Sequence, residues 1–115
     1  RNHIKLAQYA ATWMDEDPEF ELVSPRSLSL LNFRFRPKNI TKSADIDLLN
    51  EDLLNRLNDS GRVYFTQNRV RGKFTIRWSI GQTNTQLKHV ENAWSLIKRI
   101  SSNLNQIDSA RINSD

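Results

Sequence analysis

The chain has 115 residues, 37% apolar and 26% charged, with three Gly, three Pro and no Cys. That is the length of one domain with one core. Its three Trp, five Phe and two Tyr exclude a disordered segment, and the lack of thiols excludes a disulfide scaffold, a cysteine nucleophile and a thiolate metal site.

Residues 3–16 carry Leu6, Tyr9, Ala10 and Trp13 at i, i+3, i+4 and i+7, which predicts a helix with that face inward. Asp17-Pro18 ends it, because a residue before proline avoids the α region. Phe20–Val23 reads as a short strand, 24–27 as a turn, and Leu28–Arg36 as a second strand. In that strand Ser29, Leu31, Phe33 and Phe35 point one way, and Leu28, Leu30, Asn32, Arg34 and Arg36 the other. Pro37 stops it. Ile46, Leu49, Leu53, Leu54 and Leu57 predict a second helix over Asp45–Asp59, closed by Gly61 in a left-handed conformation. Arg62–Val70 and Lys73–Ile80 then form an antiparallel hairpin about a tight Arg71-Gly72 turn. Residues 83–85 supply cap candidates for a last helix with Leu87, Val90, Trp94, Ile97, Ser101 and Leu104 on one face. The polar residues 106–115 are expected to fray.

The order α-β-β-α-β-β-α predicts an α+β fold, a four-stranded antiparallel sheet with three helices packed on one face. The chain opens on Arg1 inside a helical pattern, so it is expected to be a piece of a longer polypeptide. Residues 1–105 form the domain and 106–115 a polar tail. No apolar run is long enough to span a membrane and no basic-then-apolar leader opens the chain. A cytoplasmic location with no membrane partner is expected.

Charge is unevenly placed around a net +4. Asp15, Glu16, Asp17, Glu19 and Glu21 form one acidic cluster. Between Ser60 and Val90 there is no acid, while Arg62, Arg69, Arg71, Lys73, Arg77 and Lys88 fall there. Such a basic stretch suits nucleic acid, phosphates, carboxylates or another domain's acidic face. In the fourth strand Phe74, Ile76, Trp78 and Ile80 alternate with Lys73, Thr75, Arg77 and Ser79. The first set faces the helices, so Arg77 lies mid-strand on the far face. It is either a solvated strand residue or an anion site, its planar fork matched to a carboxylate. His3 and His89 sit on helix surfaces without carboxylates at metal-ligand spacing, and no metal site is expected. Ser60 reads as a helix end. Asp45 and Asp47, like Glu51 and Asp52, read as a solvated helix N-terminus favoured by the dipole.

Three stretches then resemble a known family: Asp17-Pro18-Glu19-Phe20-Glu21-Leu22 leading to Leu28–Phe35; Asn50–Leu57 leading to Asn58–Thr66; and Gly72–Ile80 with Thr83, Val90, Ala93, Trp94 and Ile97 beyond. In order and spacing they are similar to the C-terminal small domain of the pyridoxal-phosphate-dependent group II decarboxylases, nearest the aromatic-L-amino-acid branch. Ser29 departs from the glycine common in that branch. The resemblance implies a fold type I homodimer whose large domain holds pyridoxal 5'-phosphate on a lysine. The small domain turns its open sheet face toward that large domain. Arg77 is implied to bind the amino-acid substrate by helping to place its carboxylate. No catalytic and no cofactor-binding residue is expected in this chain. None of its six lysines (Lys5, Lys38, Lys42, Lys73, Lys88, Lys98) follows a histidine, and the ring-stacking histidine is absent. The chain alone is therefore expected to be inactive. The competing reading is a non-catalytic interaction or RNA-binding module, with Tyr64 and Arg69 as stacking and phosphate contacts.

Overall fold

A computed structural model of the chain describes residues 2–23, 29–80 and 86–113. Its elements are α1 (Asn2–Glu16), β1 (Phe20–Leu22), β2 (Leu30–Phe35), α2 (Ser43–Asp59), β3 (Thr66–Val70), β4 (Lys73–Ser79) and α3 (Leu87–Asn113). The strands form one antiparallel sheet in the order β1-β2-β4-β3. The expected α+β architecture and strand order along the chain are observed.

Alternation sets the faces. Leu31 pairs with Trp78 and Phe33 with Ile76, and these four are buried beneath the helices with Phe35, Phe74 and Phe20. Trp78 meets Phe65 and Phe33 edge-on, at ring separations of 5.6 and 6.4 Å. The β3–β4 turn has φ +54° at Arg71 and +79° at Gly72, the left-handed pair whose twist matches a two-residue hairpin. Gly61, at φ +73°, follows the Ser60 cap of α2 as the sequence predicts.

Three expectations need correction. The inward face of α1 is Leu6, Ala7, Ala10, Ala11 and Met14, whereas Tyr9 is 43% exposed. The alanines let the helix approach closely, and Tyr9 and Trp13 stack on each other at 6.4 Å on its flank. The third strand begins at Thr66, not Arg62. The reason is local: the Phe65 N–H donates to Asn58 Oδ1 (2.8 Å) and its C=O accepts from Asn58 Nδ2 (2.9 Å), so a side chain replaces the ladder. Finally, α3 continues through the polar residues to Asn113. A helix anchored by Val90, Ile97, Ser101 and Leu104 extends one hydrogen bond per residue without a new nucleus. Residues 24–28 and 81–85, which include the first turn and the α3 cap candidates, lie outside the described residues.

Candidate functional site

The side of the sheet away from the helices is polar. Asn32, Arg34, Thr75, Arg77 and Ser79 follow from the alternation of β2 and β4, with Thr66 and Asn68 beside them on β3. Lys73, Arg77 and Ser79 are exposed, so no helix among the described residues lies over them. Arg77 stands where expected, opposite Asn32 on β2 and Thr66 on β3. Around it the face is ordered by its own hydrogen bonds. Asn68 Nδ2 donates to Asn32 Oδ1 (3.2 Å), and Thr75 Oγ1 donates to the Asn68 carbonyl (3.1 Å). Thr75 is fully buried and Asn32 nearly so. The Arg77 side chain makes no hydrogen bond or ion pair to another described residue. It is a free guanidinium on a fixed polar floor.

One end of the β2–β4 seam holds groups that sequence reasoning misread. The β2–β4 ladder runs from Leu30↔Ser79 to Phe33↔Ile76. Beyond it the backbone groups of Phe35 and Phe74 are taken by side chains. Asn50, fully buried on α2, receives the Phe35 N–H on Oδ1 (2.7 Å) and donates from Nδ2 to the Phe35 and Ile46 carbonyls, both at 2.8 Å. Asp47 Oδ1 receives the Phe74 N–H (3.0 Å) and Arg34 Nη1 (2.6 Å), and the same Nη1 donates to the Phe74 carbonyl (2.7 Å). Arg34 is only 2% exposed. Asp47 is thus no solvated helix-end carboxylate. Burial pushes its pKa up. The Arg34 hydrogen bond, the Phe74 amide and the charges of Arg34 and Arg69 outweigh that push and hold it below 3.8. The signal in the sequence was Asn50 itself, a polar residue on the stripe of Ile46, Leu49, Leu53 and Leu57.

The remaining candidates are structural or unplaced. His89 lies exposed at the start of α3, where Nδ1 accepts the Gln86 N–H at 3.0 Å, and the His3 side chain lies outside the described residues. Ser60 Oγ donates to the Leu57 carbonyl at 2.6 Å. Among the described residues no group of His, Cys, Asp or Glu could hold a metal, and no helix is long and apolar enough to cross a membrane. The residues present do not fit pyridoxal phosphate. All six lysines are exposed, and Lys98 is committed to Asp17 at 2.9 Å. A cofactor lysine needs a desolvated site, and none of these has one.

No family model matches the chain. It is 38% identical over 98 residues to tryptophan decarboxylase TDC2 of Camptotheca acuminata, covering 85% of this chain and 20% of that protein. It is 34% identical over 104 residues to the aromatic-L-amino-acid decarboxylase of Catharanthus roseus, covering 90% and 20%. This chain is a fragment from the aromatic-amino-acid decarboxylase family. The crystal structure of Oryza sativa TDC with PLP and tryptamine superposes at TM-score 0.86 with 31% identity, over 90% of this chain and 22% of that one. Catharanthus roseus tryptophan decarboxylase in complex with L-tryptophan gives 0.83 and 34%, over 90% and 21%. The decarboxylase fragment thus spans about a fifth of the length of the relatives it matches. The sheet with three helices on one face is shared with these group II enzymes.

Proposed function

We propose that the chain is the C-terminal small domain of a pyridoxal-phosphate-dependent carboxy-lyase that converts an aromatic L-amino acid to its amine and carbon dioxide. The observation that carries this reading is the open sheet face: one side of β4 is filled by the core, while the other presents Arg77 unpaired over a hydrogen-bonded polar floor. That face packs against the enzyme's large domain, which holds the cofactor. Bound there, pyridoxal phosphate would supply the electron sink that decarboxylation needs. Arg77 positions the substrate carboxylate, or the groups that hold it, by the two-pronged donation that suits a planar anion. The enzyme is a cytoplasmic homodimer without a nucleic-acid partner. In support, the outward residues of β2, β3 and β4 include no aromatic on which a base would stack, and Tyr64 lies outside the strands.

The test is kcat/KM in the full-length enzyme. Arg77→Ala is expected to lose about 2–4 kcal/mol of transition-state stabilisation, roughly 30- to 1,000-fold. Arg77→Lys restores only part, because a point charge lacks the fork. Near wild-type values in both variants, with folding intact, would leave Arg77 a solvated strand residue. The 115-residue chain alone is expected to give no borohydride-trapped pyridoxal phosphate adduct on any of its six lysines.

A further inference from the structure

The acidic cluster seen in the sequence is divided by the fold. Asp17 turns toward Lys98 on α3 and caps the Glu19 amide at 3.0 Å. Glu21, the last of the same run of charge, lies on β1 opposite Arg34, and so on the open face of the sheet. Cross-strand partners of this kind hold their Cβ atoms about 4.5–5.5 Å apart, close enough for an ion pair. The pair does not form, because Arg34 extends to Asp47 at 2.6 Å. Two carboxylates therefore share the neighbourhood of one buried guanidinium, and Asp47 has it. Glu21 Oε1 is left buried without a hydrogen-bond partner among the described residues. Arg36, next on the same side of β2, is exposed and does not reach it. A buried carboxylate oxygen without a donor is strongly disfavoured, and on the same face Lys73, Arg77 and Ser79 are left exposed by the described residues.

We infer that Glu21 is a socket for a cationic side chain, Lys or Arg, carried by the part of the same polypeptide that lies outside this chain. The inference rests on the reading above, in which the open face packs against the rest of the enzyme. It adds the chemistry of one contact: the incoming group is positively charged, because a carboxylate only accepts and a charged donor gives it the strongest hydrogen bond. Glu21 and Arg77 then mark two parts of that interface with opposite demands. Glu21 on the edge strand takes a cation. Arg77, on an inner strand, takes an anion.

A crystal structure of the full-length enzyme decides it. The expected result is a Lys ammonium or Arg guanidinium nitrogen from outside residues 1–115 within about 3.2 Å of a Glu21 carboxylate oxygen. A water, a backbone amide, Arg36 of this chain or a cation from a second subunit in that position overturns the inference. In the same enzyme Glu21→Gln is expected to lower the thermal midpoint by at least about 2 °C, and an unchanged midpoint likewise overturns it. Failure here is separable from failure of the function. A Glu21 without its cation, beside Arg77 variants that lose activity, removes the socket alone. A paired Glu21 beside fully active Arg77 variants removes only the role of Arg77.

Discussion

The two ends of the β2–β4 seam are closed by different means. From Leu30 to Phe33 the strands bond to each other, and the side chains on either side follow the alternation. At Phe35 and Phe74 the backbone bonds instead to Asn50, Asp47 and Arg34. The first end depends on a repeating pattern that tolerates exchange of one outward side chain for another. The second depends on three particular residues, which satisfy backbone groups that the ladder does not. The open, laddered end carries Arg77, so the position with the proposed function is the one where the fold demands least.

The comparison is broken most directly at Asn50. Asn50→Leu keeps the volume and strands the Phe35 N–H and C=O. At about 1–3 kcal/mol for each buried group, the variant is expected to be barely folded by urea titration. Arg34→Met should follow, near the low end of the about 3–5 kcal/mol for breaking a buried pair, because Asp47 keeps 24% of its side chain exposed. Adding Asp47→Leu to it is expected to recover part of the loss. Acid sharpens the contrast. Asp47 has its pKa depressed on folding, so its contribution is fully present above its ordinary 3.8 and is lost as pH falls through the lower folded value. The urea midpoint should therefore fall below about pH 4 more steeply in the wild type than in Asp47→Asn. The smallest effect is expected at the laddered end: Arg77→Ala in the isolated chain should change stability by less than about 0.5 kcal/mol. A large loss there would mean that Arg77 holds the fold rather than the substrate.

The sequence carried the laddered end and little of the other. Period-two alternation in Phe74–Ile80 placed Trp78 inward and Arg77 outward, and both stand so. Leucine spacing in α2 and the glycine at Gly61 located that helix to within two residues. Arg34 was legible only as an outward residue, because alternation assigns a face and says nothing of how far a long side chain reaches. Asp47 looked like a dipole charge for the same reason: its partners are 13 and 27 residues away. Asn58 hid the late start of β3, since a side chain that imitates a strand partner leaves the apolar pattern of Val63 and Phe65 intact. Tyr9 counted as core by spacing, but it is exposed, and the alanines beside it are what the sheet and α3 accommodate.

The Arg71-Gly72 turn has a consequence in time. It joins β3 to β4 across two residues, whereas Phe33 and Ile76 pair across 42 intervening residues that include all of α2. Loop-closure entropy rises with separation, and a hairpin forms in about 1–10 μs. We expect the hairpin to close first and to wait, one inner edge unpaired, until α2 has delivered Asn50 and Asp47 to the seam. Replacing Gly72 with Val should then slow refolding, while Asn50→Ala should chiefly hasten unfolding. The reverse pattern in stopped-flow fluorescence would show that β2 meets β4 before the turn has formed.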